Sequence, residues 1–80
     1  MKTKELLENI IKALVVDKEK VTVIESNDER GVLLSVNVSK GDMGKVIGKN
    51  GETAKAIRTV IHIAGMTDDA RVSVKINEPE

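Results

Sequence analysis

A two-residue interruption within a helical pattern constrains this chain more than any other feature. Residues 43–47 and 52–64 carry apolar side chains at the three- and four-residue spacing that is typical of helices. Between them stands the tetrapeptide Gly-Lys-Asn-Gly at positions 48–51. Neither glycine has a Cβ atom, so the backbone can turn sharply there and approach another molecule closely. The pattern predicts two helices that meet at a tight turn, named below the Gly-x-x-Gly turn (residues 48–51).

The surroundings of this turn suit a phosphate group. The turn leads into the N-terminus of a helix, where unpaired N–H groups carry partial positive charge, and Lys49 adds a full charge. From Lys40 to Arg58, five basic residues against two acidic ones leave a local charge of +3, although the whole chain has no net charge. This distribution predicts modest, salt-sensitive binding to a polyanion rather than tight non-specific binding.

The first half of the chain predicts a helix followed by a hairpin. Apolar residues in 3–16 form one broad stripe of an amphipathic helix, with Thr3 as its N-cap. The β-branched residues in 21–25 and the alternation in 32–38 predict two strands. The polar segment 26–31 predicts the turn between them, so the two strands should pair antiparallel.

The second half predicts two helices and a strand. Ser39 and Asp42 have the spacing of a capping box at the start of a short helix over 41–47. Residues 52–64 predict the third helix, and Gly65 is suited to the position just past its end. The apolar half of that helix consists of Ala54, Ala56, Ile57, Val60, Ile61, Ile63 and Ala64.

The end of the chain completes the predicted order of elements. An acidic loop at 66–69 precedes the strictly alternating segment 71–76, which predicts the last strand, and 77–80 reads as a loose tail. The predicted order is α-β-β-α-α-β in a single domain of residues 1–80. This order predicts an α+β fold in which helices pack on one face of a three-stranded sheet.

Composition excludes several classes of protein. The absence of Phe, Tyr and Trp predicts an aliphatic core and argues against RNA-recognition-motif domains and aromatic-lined OB-folds. The absence of Cys excludes disulfides and thiol chemistry. There is no apolar run of membrane length and no signal peptide, so we expect no membrane partner and a cytoplasmic location.

No catalytic, metal or cofactor site is predicted. The pair Gly48-Lys49 resembles the end of a P-loop, but Met43 and Asn50 occupy the positions that require glycine and a hydroxyl. His62, the only histidine, falls on the polar half of the third helix, where we expect it to be solvated. We therefore expect the protein not to be an enzyme.

The segment 42–51 and the helix that follows it at 54–60 resemble the KH (K-homology) motif, an apolar-Ile-Gly-x-x-Gly sequence before an amphipathic helix. They resemble more closely the small bacterial single-KH RNA-binding proteins of the KhpA family, in a match of length and element order that covers nearly the whole chain. The resemblance implies a type II KH fold that binds single-stranded RNA. It also implies a groove bordered by the loop 66–69.

The Gly-x-x-Gly turn would then hold the sugar-phosphate backbone. Gly48 and Gly51 would let the turn press against the strand, in the clamp on about four nucleotides that is general for KH domains. Lys49 would contact phosphate by charge and Asn50 by a hydrogen bond. The alternative is that these four residues form only a corner between two helices.

The flanking helices supply the other expected contacts. By the resemblance, Gly44 opens the helix surface to the strand, while Lys45 and Ile47 line the groove, Ile47 as an aliphatic floor under a base. Lys55 and Arg58 would extend the basic track. The alternatives remain open: Gly44 could be a packing glycine, Ile47 a core residue, and the two later cations an ordinary charged helix face.

Partners follow from the resemblance and from composition. The resemblance implies single-stranded RNA, a role as a post-transcriptional regulator or RNA chaperone, and pairing with a larger KH protein that carries a Jag-type N-terminal domain. A second hypothesis is a protein-interaction module that forms a homodimer or heterodimer and binds little RNA. Neutral charge, Glu52 and the acidic loop favour it, and Ile24 and Leu33 are its candidate surface patch.

Overall fold

The computed structural model describes residues 2–77. Within them, three α-helices and three strands follow in the order α-β-β-α-α-β, which confirms the predicted α+β architecture. Short 3-10 turns join some of these elements. The elements are α1 (Lys2–Leu14), β1 (Thr22–Asp28), β2 (Gly31–Asn37), α2 (Met43–Ile47), α3 (Glu52–Thr67) and β3 (Val72–Ile76), and the 3-10 turns are Lys18–Lys20, Lys40–Asp42 and Lys49–Gly51.

The sheet has one antiparallel and one parallel pair of strands. Its order is β1-β2-β3, so β2 is central and β3 lies at an edge. The first two strands pair antiparallel, as predicted, with Thr22 of β1 opposite Asn37. In the parallel pair, Val32 lies beside Val72. Because β2 and β3 run in the same direction, the segment between them must cross over the sheet, and α2 and α3 form this crossover.

The hairpin turn is shorter than predicted. Both strands extend into the polar segment, β1 to Asp28 and β2 from Gly31, so only Glu29 and Arg30 connect them. The Asp28 carboxylate accepts a hydrogen bond of 2.7 Å from the Arg30 amide and closes the turn. The prediction of a turn over 26–31 was wrong because the β1 residues there are exposed and need no apolar side chain to pair with β2.

The core lies between the helices and one face of the sheet and is aliphatic, as predicted. The alternation in β2 places Leu34 and Val36 inward with no exposed surface. From the helices, Leu7 and Ile61 are equally buried. The remaining members of the core are Ile11, Val15, Val23, Val38, Met43, Val46, Ile57 and Val72.

The structure differs from the prediction at both ends of the described chain. Helix α1 begins at Lys2, so Thr3 lies inside the helix with a buried side chain and is not the N-cap. The predicted tail at 77–80 is wrong for Asn77, whose amide donates a hydrogen bond of 2.9 Å to the Val36 carbonyl of β2. Residues 78–80 lie outside the described residues.

Gly65 does not end helix α3. The helix continues to Thr67, and the chain leaves it through Asp68 and Asp69, the second of which has a φ of +55°. Gly65 is buried because α3 packs against β3 at this point, where a Cβ atom would lie 2.7 Å from the Val72 Cγ2 atom. The glycine therefore allows close helix–strand packing instead of a left-handed helix end.

The apolar half of α3 is only partly buried by the rest of the domain. Ala54, Ile57 and Ile61 are buried, but Val60 and Ile63 are 47% and 57% exposed. Ala56 is exposed as well. Only part of the apolar half therefore faces the core. No helix within residues 2–77 is long and apolar enough to span a membrane.

We expect Gly65→Ala to destabilise the domain by about 1–3 kcal/mol, because the added methyl group overpacks the contact with Val72. Gly44→Ala is the matched control, since it also lies in a helix but its Cβ would meet nothing within 4 Å. That control should be neutral or stabilise by up to about 1 kcal/mol. Urea unfolding of both variants measures the difference, and equal stabilities would contradict the packing argument.

Candidate nucleic-acid interface

The Gly-x-x-Gly turn adopts backbone angles that L-residues rarely take. Gly48 has a φ of +75° and Gly51 a φ of +73°. A Cβ on Gly48 would also overlap the Thr53 side chain, so both angle and space require glycine there. Asn50, between them, has a φ of +57°, which asparagine tolerates better than most residues. These conformations place the two helices on either side of a sharp corner, as predicted.

The two side chains of the turn are open to solvent. Lys49 and Asn50 are both exposed. Helix α3 begins at Glu52, immediately after the turn, and no side chain caps its N-terminus within the described residues. The Glu52 amide donates to the Lys49 carbonyl, but the N–H groups that follow it have no side-chain cap. The corner therefore combines the Lys49 ammonium group, the Asn50 amide and the N-terminus of a long helix, all of which can bind an anionic oxygen.

The boundary between α3 and β3 is lined by a row of cavities that begins at this corner. Three cavities follow one another along it, with volumes of about 160, 350 and 460 Å³. Arg58 lines the first two and His62 the last two, so neighbouring cavities share a lining residue. The three cavities together are named below the α3–β3 groove. Its lining residues from the turn outward are Ile47, Gly51, Ala54, Arg58, Ile76, then Thr59, His62, Val72, Ser73, Val74, and finally Met66, Asp69, Ala70 and Arg71.

The strand side of the groove presents backbone hydrogen-bonding groups. The Arg71 carbonyl accepts from the Val32 amide at 2.8 Å, and the Asn77 amide donates to β2 in the same way. Successive residues of a strand direct these groups to opposite sides. The alternate residues Val72, Val74 and Ile76 therefore direct their N–H and C=O groups to the open edge of the sheet. A donor and an acceptor side by side suit the edge of a nucleobase.

Asp42 holds this unit on the rest of the domain. Its buried carboxylate accepts hydrogen bonds from the amides of Val16, at 3.1 Å, and Asp17, at 2.9 Å, just past the end of α1. The Ser39 hydroxyl donates to the same carboxylate at 2.9 Å. These hydrogen bonds lower the pKa of Asp42 from 3.8 to about 2, and the bond from the Asp17 amide has the largest effect, followed by that from the Val16 amide. The expected capping box is therefore wrong, because the Asp42 carboxylate accepts from two amides that follow α1 instead.

The predicted site residues lie in the groove, at its mouth or on the exposed helix faces beside it. Ile47, Gly51 and Arg58 line the groove directly. Gly48, Lys49 and Asn50 form the corner at its mouth, and Gly44 is exposed on α2 with open space around it. Lys55 is exposed on α3, three residues before Arg58 and thus on the same side of the helix.

Lys45 lies apart from the groove. It is not among the groove-lining residues, and its ammonium nitrogen lies 3.5 Å from an Asp42 oxygen. Of the acidic residues that were expected to oppose binding, Asp69 lines the far end of the groove. Within residues 2–77, no three His, Asp or Glu side chains are grouped closely enough to hold a metal ion.

Several groove residues were missed by the sequence analysis, namely Thr59, His62, Ile76 and the edge of β3. His62 stands four residues after Arg58, so the helical period would have placed the two on one side of α3. The contribution of β3 had no such pattern to reveal it, because it depends on which strand lies at the sheet edge.

Residues 4–76 match the family model described as "KhpA/KhpB, KH domain". The chain belongs to this family. It is 49% identical over 73 residues to a Clostridium acetobutylicum protein named RNA-binding protein KhpA, covering 91% of this chain and 97% of the relative. Proteins of the same name from Listeria monocytogenes and Chlamydia trachomatis are 39% and 41% identical over 74 and 75 residues. These alignments cover 92% and 94% of this chain and 97% and 96% of the relatives. No solved structure matches the chain.

We expect Asp42→Asn to destabilise this KH domain at neutral pH. The folded-state pKa lies below the unfolded value, so the carboxylate stabilises the fold above pH 3.8 and loses this effect as the pH falls toward about 2. The stability difference between wild type and variant should therefore shrink over that acid range. Urea unfolding as a function of pH measures it.

Asp17→Asn is the control for this prediction, because it removes one carboxylate at the same junction while the hydrogen bond uses only the Asp17 backbone. A pH-independent difference between wild type and Asp42→Asn would contradict the assigned role.

Proposed function

We propose that this chain is a single KH domain that binds single-stranded RNA, with the sugar-phosphate backbone on the Gly-x-x-Gly turn and the bases in the α3–β3 groove. One observation carries the proposal: a corner with positive φ angles at Gly48, Asn50 and Gly51, and with an uncapped helix N-terminus, opens into a groove that contains Arg58. The names of the relatives, RNA-binding protein KhpA, support the same ligand.

The shape and lining of the groove favour a single strand over a duplex. Ile47, Ala54 and Ile76 supply aliphatic surface at the end near the turn, on which an unpaired base can lie. The open edge of β3 offers donors and acceptors to base edges that a duplex would already use for pairing. Bases must therefore be exposed before they can enter the groove.

The expected affinity is modest and depends on salt. Lys49, Lys55 and Arg58 are the cations at the turn and along the groove. Lys45 forms an ion pair with Asp42 instead. Two or three phosphate contacts would give a slope of log affinity against log salt of about −1.5 to −2. Glu52 beside the turn and Asp69 at the far end limit the usable length of the basic track.

The variant Lys49→Asp/Asn50→Asp should lose RNA binding by at least about tenfold while the domain remains folded. Both side chains are exposed, both glycines stay, and aspartate tolerates the φ of +57° at position 50. Two carboxylates would then repel the phosphates that approach the corner. Fluorescence anisotropy with a short unstructured RNA measures the affinity, and circular dichroism checks the fold.

Lys20→Asp/Asn27→Asp is the matched control, since it makes the same two substitutions and the same charge change at exposed residues away from the groove. It should bind RNA nearly as well as wild type in moderate salt. Equal losses in both variants would mean that net charge, not the corner, governs binding. Unchanged binding in the corner variant would overturn the proposed function.

The proposal assigns no catalytic step. We place the protein in the cytoplasm, where bacterial RNA is found, as a post-transcriptional regulator or RNA chaperone. A domain that holds a short single strand weakly can keep RNA unpaired without modifying it.

A second candidate function is pairing with another KH domain, either a second copy or a larger Jag-type KH protein. The exposed apolar side chains Val60 and Ile63 on α3 favour it, since they face away from the core. The patch expected at Ile24 and Leu33 is weaker, because Ile24 is 54% exposed but Leu33 is only partly exposed.

Light scattering on the concentrated protein tests this pairing. If α3 mediates self-association, wild type should have the mass of a dimer and Val60→Lys/Ile63→Lys that of a monomer. Ile24→Lys is the control and should remain dimeric. A monomeric wild type would contradict the homodimer, and a dimer lost only in the control would move the interface to the sheet.

A further inference from the structure

His62 carries the only aromatic ring in the protein. The chain has no Phe, Tyr or Trp and a single histidine. Proteins that bind single-stranded RNA commonly stack unpaired bases on aromatic side chains, and histidine is among them. We propose that His62 stacks on one base of the RNA strand in the α3–β3 groove and so provides the base contact that the composition otherwise lacks. This inference rests on the proposed function.

The position of His62 within the groove suits this role. It lines both the middle cavity, of about 350 Å³, and the outer cavity, of about 460 Å³. Cavities of this size fall within the range of about 300–1,000 Å³ that holds small ligands in other proteins. Across the middle cavity lie Val72 and Val74 of β3, whose backbone groups point to the open edge. A base beside His62 would therefore have hydrogen-bonding groups in front of its edge.

The ring is also free to contact a ligand. His62 is exposed, and within residues 2–77 it forms no hydrogen bond or salt bridge. It lies on α3, a helix of 16 residues, between the buried residues Ile61 and Gly65. Because both of these residues are packed in the domain, the backbone at His62 is held in place. A rigid backbone with an unengaged ring suits stacking, because the contact costs little additional ordering.

The distance from the turn determines which nucleotide is contacted. His62 follows Gly51 by 11 residues, which is about 16 Å along a helix. Even fully stacked nucleotides are spaced about 3.4 Å apart. The stacked base should therefore lie no more than about five nucleotides from the phosphate at the turn, at the far end of a clamp on about four nucleotides.

Three substitutions separate stacking from other roles. His62→Ala removes the side chain, His62→Gln keeps a polar group without a ring, and His62→Phe keeps a ring without a polar group. If stacking is the contact, the Ala and Gln variants should bind a short unstructured RNA about fivefold more weakly. The Phe variant should bind at least as well as wild type. Anisotropy titrations measure all three at one fixed pH.

Stacking on His62 can be observed directly by NMR, because the protein has only one aromatic ring. In protein without a histidine tag, the aromatic carbon–proton NMR spectrum contains only the two C–H groups of the His62 imidazole ring, at Cδ2 and Cε1. Stacking under a base should move both proton resonances upfield during an RNA titration. A hydrogen bond through a ring nitrogen without stacking would not produce this common upfield shift.

Each outcome decides the inference. It is overturned if the Gln variant binds like wild type while the Phe variant is weak, since a polar contact would then be responsible. Equal affinities for all variants, or ring resonances unmoved by RNA, also overturn it, and Lys49→Asp/Asn50→Asp then shows separately whether the turn binds RNA. If wild-type protein binds no RNA at all, the proposed function and this inference both fall.

Discussion

The parallel pairing of β2 with β3 is the constraint on which the rest of this structure depends. Parallel neighbours need a crossover, and here the crossover is the α2–turn–α3 unit. Because α3 must return the chain to the edge of the sheet, it lies alongside β3, and Gly65 allows the close contact with Val72 at their joined end. The groove opens along the rest of the same boundary. The Gly-x-x-Gly turn stands at its mouth because it connects the two halves of the crossover.

The crossover unit is attached to the N-terminal helix by a buried charge. The Asp42 carboxylate replaces water with two backbone amides past the end of α1 and with the Ser39 hydroxyl. These bonds satisfy donors that would otherwise be left without partners where the helix ends, and they fix where α2 begins. An 80-residue domain with an aliphatic core has a small stability margin. A polar contact that joins two elements is therefore important both to the fold and to the placement of the turn.

The chemistry of the groove explains how a neutral protein without Phe, Tyr or Trp could still bind RNA. Charge is concentrated at the corner and at Arg58, aliphatic side chains form the floor near the turn, and the β3 edge supplies backbone donors and acceptors. Each of these contacts is weak individually. Affinity would come from their arrangement along one short strand, and pairing with a second KH domain would add avidity by bringing two grooves together.

The order of elements, the aliphatic core and the Gly-x-x-Gly turn follow from the sequence alone, because helical and strand periodicities and the need for glycine at positive φ are local properties. The other features depend on how the elements pack together. Gly65 reads as a helix end, yet it is a packing glycine, since only the position of β3 makes its missing Cβ matter. Asp42 reads as a local cap, yet it bonds to residues about 25 positions earlier in the chain. Likewise, His62 becomes a groove residue and Val60 an exposed one only when α3 is laid against the sheet, because which side of a helix is covered depends on what packs against it.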